Sequence, residues 1–331
     1  MGIRAAITSV GHYVPPDVYD NHYFEEFLDT NDQWIRERTG IIERRFAKEG
    51  ATSDLALPAV RQCLERRGID ASEIDCIIVA TVTPDMFFPS TACVLQRKIG
   101  ASNAWGFDLS GACSAFLFAL ATGAQFIQTG AHRKVLVVGA DKMSSIIDFS
   151  DRNTCILFGD GAGAVLLEPT EKEEGLLDFE LHIDGKGEDA LHMRGGGSLN
   201  PPTAETVEKK MHYVFQDGRA VFKEAVIGMA DVAESIMKKN NLSSNDVRWL
   251  VPHQANLRII KATADRMGLD MDRVMINIDR YGNTTAGTLP ICLSEWWENG
   301  DLDPGDNIIL ATFGAGFTWG AGWLRWSMEG K

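Results

Sequence analysis

Residues 65–83, ERRGIDASEIDCIIVATVT, align without a gap with residues 238–256, KKNNLSSNDVRWLVPHQAN. Both stretches read as a helix end, a Gly or Asn turn, an Ile or Leu, an acidic linker and an apolar strand. The offset of about 173 residues recurs elsewhere: VLVVGAD at 135 falls opposite IILATFG at 308, and IRAAITSVG at 3 opposite LLDFELHID at 176. Three matches at one offset predict a duplicated chain.

The runs IDCIIVA, KVLVVGA, RWLVP, VMINI and NIILATF are short and apolar throughout, as in strands covered by helices on both faces. Between them the pattern predicts helices over 53–67, 90–99, 114–129, 219–240, 256–267 and 288–299. The expected class is α/β, in two βα-rich halves, 1–172 and 173–331, divided near the polar TEKEEG at 170–175. Residues 185–217, rich in Gly, Pro and charge, read as an excursion of the second half.

Composition narrows the function. A net charge of -14 disfavours nucleic-acid binding through phosphates. The longest apolar run, 115–127, is too short to span a bilayer, and MGIRAAITSVGHYVPPD lacks a signal-peptide core, so a cytoplasmic protein is expected. The six cysteines form no CxxC pair and the seven histidines no HxH or HxxxH, so reduced thiols are expected and no metal cage.

FGDGAGAVLLEP (158–169) has no helix after its glycines, so it reads as strand, glycine turn, strand rather than a phosphate loop. FGAGFTWGAGWLRW (313–326) has the same form. The glycines let backbone approach a neighbour closely, a ligand among the candidates.

Cys113 sits in FDLSGACSAFLFALATGAQFIQTG (107–130), where an apolar helix begins with Ser110 as its cap and Gly130 as its stop. A helix start stabilises a thiolate and lowers its pKa, yet a free cysteine is equally a common core residue. His253, in VPHQAN, lies at a strand end, where α/β sheets carry their sites. Asn283, in YGNTTAG, lies between a strand and a helix. All three occupy strand-to-helix junctions that a duplication would bring toward one face.

SGACSAF, VPHQANLRI and DRYGNTTAGTLP, with NDQWIRERTGIIERR (31–45), FFPSTAC (87–93), DRNTCILFGDGAGA (151–164) and GFTWG, resemble the 3-oxoacyl-(acyl-carrier-protein) synthase III family. The likeness covers nearly the whole chain. It implies a thiolase-like fold of two halves stacked as αβαβα, and a Cys113, His253, Asn283 triad. It also implies a reaction: Cys113 takes the acyl group of a short acyl-CoA, and malonyl-carrier protein then loses CO2 and condenses with it. By the same resemblance, the backbone N–H groups of Cys113 and Ala315 form the oxyanion hole. The family usually has glycine at 315; alanine keeps the N–H but disfavours positive φ.

The resemblance further assigns coenzyme A contacts to Thr30, Trp34, Arg38, Arg152 and Asn256. It assigns acyl-carrier-protein docking to Arg258, with Lys223, Lys261 and Arg266 as further cations. It puts Phe88 across a homodimer interface, closing the partner's acyl pocket, and needs no metal or other cofactor. Gln216 stands where many relatives have Met. The runner-up function is a starter condensing enzyme or acyltransferase of a polyketide or other secondary pathway. A silent partner subunit of this fold would be expected to lack Cys113 or His253.

Overall fold

The computed structural model describes residues 2–330. Two sheets carry the fold. The first is built from β1 (Arg4–Tyr13), β2 (Cys76–Ala80), β3 (Trp105–Leu109), β4 (Val135–Asp141) and β5 (Gly161–Thr170), in the order β1-β5-β4-β2-β3. The second is built from β6 (Gly175–Ile183), β7 (Trp249–Pro252), β8 (Asn307–Gly314) and β9 (Thr318–Arg325), in the order β7-β8-β9-β6. Read from β1 and from β6, the two orders are the same. The three aligned pairs from the sequence occupy equivalent strands: β2 with β7, β4 with β8, and β1 with β6.

VMINI does not form the fifth strand of the second sheet. Only Val274 bridges to Leu250. The buried Gln254 side chain takes over the pairing: its Oε1 accepts from the Asn277 and Ile278 amides, each at 3.1 Å. The backbone there turns into a four-residue helix, Ile278–Tyr281, instead of extending.

Helices sit in three layers around these sheets. α1 (Thr52–Arg67) and α2 (Thr91–Ile99) cover the outer face of the first sheet. α3 (Ala115–Gln128) and α6 (Thr288–Glu298) lie between the sheets, while α4 (Gly218–Lys239) and α5 (Leu257–Met267) cover the outer face of the second. Strand alternation explains how one apolar run serves two layers. Ile77 and Val79 pack outward with α1, and Ile78 and Ala80 pack inward with α3. Ile308 and Leu310 face the central layer, and Ile309 and Ala311 face α4 and α5.

Glycines set how closely the halves meet. The sequence read FGDGAGA as a turn between strands; instead Gly161 and Gly163 lie within β5, with no strand before them. Their close neighbour is the other half of the chain, not a ligand. A Cβ on Gly163 would stand 2.7 Å from the Pro290 Cβ and 2.8 Å from the Ile291 nitrogen, and one on Gly159 would stand 2.2 Å from the Tyr281 carbonyl oxygen. The second motif does form a hairpin, with β8 turning into β9 through residues 315–317.

Gly163→Ala should therefore destabilise the protein by roughly 1–3 kcal/mol through overpacking. Denaturant unfolding should show a lower midpoint at unchanged slope.

Candidate active site

Cys113 lies in a 3-10 turn, Ala112–Ser114, that runs into α3. Ser110 does not cap this turn; Gly111 occupies the cap position and no side chain closes it. The residue before the cysteine, Ala112, is held at φ 49. Gly314, at the end of β8, passes so close that a Cβ on it would stand 2.8 Å from the Cys113 nitrogen. The next residue, Ala315, lines a cavity together with Cys113. Ala315 is not at positive φ; Gly316 takes that conformation, at φ 137, so alanine fits at 315.

His253 follows β7, and its amide donates to the Ala311 carbonyl at 2.8 Å. Its ring is buried, and Nδ1 has no hydrogen-bond partner among the described residues. Asn283 follows the short helix and bridges to Phe158 of the first half. Its Oδ1 accepts from the Thr285 amide at 2.9 Å, which leaves the Nδ2 hydrogens for the cavity. Buried Cys113, His253 and Asn283 line one cavity, and half-buried Phe222, Ala255 and Asn256 line its more exposed part. A second cavity of about 120 Å³, walled by Val82, Met143, Ile146 and Val214, meets the first at Cys113, Phe158 and Leu191. Gln216, from the 185–217 excursion, lines the first cavity.

Electrostatics differ from the helix-start expectation. Burial pushes the Cys113 thiol up to about 12, the charge of Asp141 adds to this, and the Asn283 side chain opposes it. Burial also pushes His253 down to about 3, so the imidazole is neutral at physiological pH. The resting pair is a neutral thiol and a neutral imidazole. The low dielectric outweighs the helix start because the sulfur sits inside the protein rather than at a wetted helix end.

The other predicted residues fall into two groups. Near the more exposed part of the cavity, Asn256 caps α5 by accepting from the Arg258 amide at 2.9 Å, and donates to the Arg38 carbonyl at 2.8 Å. Arg38 and Arg152 lie 5.8 and 5.0 Å from the centre of the Trp34 ring. Arg152 also donates to the Asp29 carbonyl at 2.5 Å. Thr30 is near this cluster in sequence, with a buried, unpartnered hydroxyl oxygen. Of the cations, Arg258 stands 4.6 Å from the Phe222 ring centre, and Lys261 is exposed with no acidic partner within 4.0 Å among the described residues. Lys223 lies 4.0 Å from Glu224. Arg266 differs from expectation: Asp231 and Glu234 of α4 hold its guanidinium, which reduces its availability to a partner.

Phe88 is 85% exposed and its neighbour Phe87 74%, far from the usual state of such side chains. Among the described residues no group of three or more His, Cys, Asp or Glu could hold a metal ion, and no helix is long and apolar enough to cross a membrane. Sequence reasoning missed Gln254 and Asp141. The signal for Asp141 was its place as an acid closing the apolar strand VLVVGAD.

Residues 107–185 match the family model described as 3-oxoacyl-[acyl-carrier-protein (ACP)] synthase III, and residues 237–326 match the model of its C-terminal part. A beta-ketoacyl-[acyl-carrier-protein] synthase III of Chlorobium phaeovibrioides is 57% identical, over 98% of this chain and all of that protein. The crystal structure of 3-oxoacyl-[acyl-carrier-protein] synthase III from Aquifex aeolicus is 39% identical and superposes with a TM-score of 0.91, covering 97% of this chain and 100% of that one. The priming beta-ketosynthase of the R1128 polyketide pathway superposes with a TM-score of 0.90 at 33% identity, covering 98% and 96% of the two chains. The polyketide alternative is thus the less favoured reading.

With the sulfur protonated at rest, its alkylation by iodoacetamide should quicken continuously from pH 7 to pH 10 without a plateau. A rate that levels off below pH 8 would mean that the helix start, not burial, governs the thiol.

Proposed function

The chain belongs to the 3-oxoacyl-[acyl-carrier-protein] synthase III family of condensing acyltransferases, and from that membership we infer how its own residues run the reaction. The observation that carries the inference is the single cavity shared by Cys113, His253 and Asn283. The Cys113 sulfur attacks the thioester carbonyl of a short acyl-CoA. Its proton passes to the departing coenzyme A sulfur, and an acyl-cysteine remains. The N–H groups of Cys113 and Ala315 hold the tetrahedral oxyanion, and the second cavity takes the acyl chain.

Malonyl-acyl carrier protein then enters. Loss of CO2 leaves an electron pair on the malonyl thioester, and the negative charge spreads to its oxygen. Neutral His253, through Nε2–H, and the Asn283 Nδ2 group donate to that oxygen. The carbanion attacks the acyl-cysteine, and the Cys113 sulfur leaves as a thiolate and takes a proton from water, the one proton the overall reaction consumes. Departing CO2 replaces deprotonation, so this step uses no general base. A neutral His253 suits the role, since it holds its donor at every pH above its lowered pKa.

Trp34, Arg38 and Arg152 offer a stacking face and two fixed charges for the nucleotide end of coenzyme A, with Thr30 beside them. Asn256 faces the pantetheine arm. Arg258 and Lys261 of α5 are the cations best placed for an acidic carrier protein, with Lys223 near the start of α4. The exposed Phe87 and Phe88 and the unpaired edge of β3 support a homodimer. The first sheet uses residues only up to Thr170 and the second only from Gly175, which supports the division into 1–172 and 173–331. Six free cysteines, Cys93 exposed, suit a reducing cytoplasm.

Intact mass after incubation with a panel of acyl-CoAs should show one acyl adduct, absent in Cys113→Ala. An adduct that survives that substitution refutes the assignment. Asn283→Ala should still be acylated but lose decarboxylation by about 10²–10³-fold. Trp34→Ala should raise the KM for acyl-CoA by roughly tenfold with kcat nearly kept. Phe87→Ser/Phe88→Ser should shift the mass measured by light scattering from dimer to monomer.

A further inference from the structure

We propose that Asp141 is a positioning residue for the Asn283 amide and acts on it through Thr285. The proposal rests on the reading of Asn283 as a donor to the enolate oxygen.

Asp141 ends β4 and is wholly buried. Its Oδ1 accepts from the Thr81 hydroxyl at 2.9 Å, the Val82 amide at 2.8 Å, the Thr83 hydroxyl at 3.0 Å and the Thr83 amide at 3.2 Å. Its Oδ2 accepts from the Thr285 hydroxyl and from the Ala286 amide at 3.2 Å. Every contact is a donor, and among the described residues no basic side chain pairs with the carboxylate. A buried acid without a counter-ion is costly, so fold stability alone gives little reason for it. An amide of the same shape would present a donor on one side, where Thr285 and Ala286 already donate. The site therefore requires an acceptor at both oxygens.

The second oxygen fixes the Asn283 loop. Thr285 is held at φ 50, a conformation unusual for a β-branched residue. In that conformation its amide reaches the Asn283 Oδ1 at 2.9 Å. This bond decides which end of the Asn283 side chain faces the cavity, and the donor end faces it. Gly139, two residues before Asp141, completes the seat: a Cβ there would stand 2.1 Å from the Ala286 carbonyl oxygen, so the loop lies directly on the strand backbone.

The duplication supplies an internal control. Ala112, at φ 49, occupies in the first half the place that Thr285 occupies in the second, at the same offset of about 173 residues. Its facing strand residue is Gly314, which lies against the Cys113 nitrogen and has no side chain to bond it. Both halves use the same bend before a central helix. Only the half that must orient an amide has a carboxylate beneath the bend.

The two half-reactions separate the roles. Cys113 acylation is followed by intact mass, and decarboxylation by 14CO2 release from carboxyl-labelled malonyl-carrier protein. Asp141→Asn should cut decarboxylation at least about tenfold while acylation falls by no more than roughly threefold, since losing the charge near Cys113 lowers the thiol's pKa and favours acylation. Thr285→Val, which keeps the shape and loses the hydroxyl, should do the same, and Thr285→Ser should retain decarboxylation. Equal loss of both half-reactions in Asp141→Asn, or loss of neither, overturns the proposal. If Asp141→Asn does not fold, the Thr285 pair decides alone: valine and serine variants that behave alike overturn it. Asn283→Ala, run in parallel, tests the underlying reading. If it loses decarboxylation while Asp141→Asn and Thr285→Val do not, the enolate role stands and the positioning role fails. If it too keeps decarboxylation, the enolate role itself fails.

Discussion

Backbone lies directly on backbone where the two halves meet, and the site depends on that contact. Gly159 against Tyr281, Gly163 against Pro290 and Ile291, Gly139 against Ala286 and Gly314 against Cys113 each leave no room for a side chain. A Cβ at any of these positions would stand 2.1 to 2.8 Å from an atom of the other half, so the halves would have to shift apart to admit it. Cys113 belongs to one half and His253 and Asn283 to the other, so such a shift would separate the sulfur from the donors. The central helices α3 and α6 convert the close contact into rigidity, because each is packed between two sheets.

The same burial sets the chemistry. It makes both the thiol and the imidazole neutral at rest, which removes the charged pair that a wetted active site would hold. In return, on the proposed reaction, the charges that develop meet fixed donors in a medium with little water to compete. The protein does not store a reactive thiolate. On the proposed reaction, it offers the N–H groups of Cys113 and Ala315 and the side chains of His253 and Asn283 to the oxyanions as they form.

Much of this was legible in the sequence because burial on both faces leaves continuous apolar runs that few other environments produce. β2, β4, β7 and β8 were visible for that reason, and the repeat gave their pairing. VMINI failed as a strand because a single side chain, Gln254, supplies the hydrogen bonds that a neighbouring strand would have supplied. The glycines of 158–169 were read as a turn because a glycine required for close packing looks, in sequence, like one required for a positive φ. Cys113 and His253 stand at the expected strand-to-helix junctions, but Asn283 follows a short helix instead of a strand, and it is the resemblance of SGACSAF, VPHQANLRI and DRYGNTTAGTLP that joins the three. The direction of the thiol's pKa was not legible, since it depends on how deeply the helix start lies beneath the other half. Asp141 was passed over because its importance lies in six donors drawn from two distant segments, 81–83 and 285–286.

The two cavities meet only at Cys113, Phe158 and Leu191. On the proposed reaction, both thioesters approach the sulfur from the side lined by Asn256 and Phe222, while the acyl chain occupies the other. One arm must therefore withdraw before the next can reach the cysteine, and no ternary complex of the two thioesters can form. Such a geometry dictates a double-displacement rate law, in which coenzyme A and the incoming malonyl carrier contend for the same passage. The order of events is thus a property of the shape of the site rather than of any single residue in it.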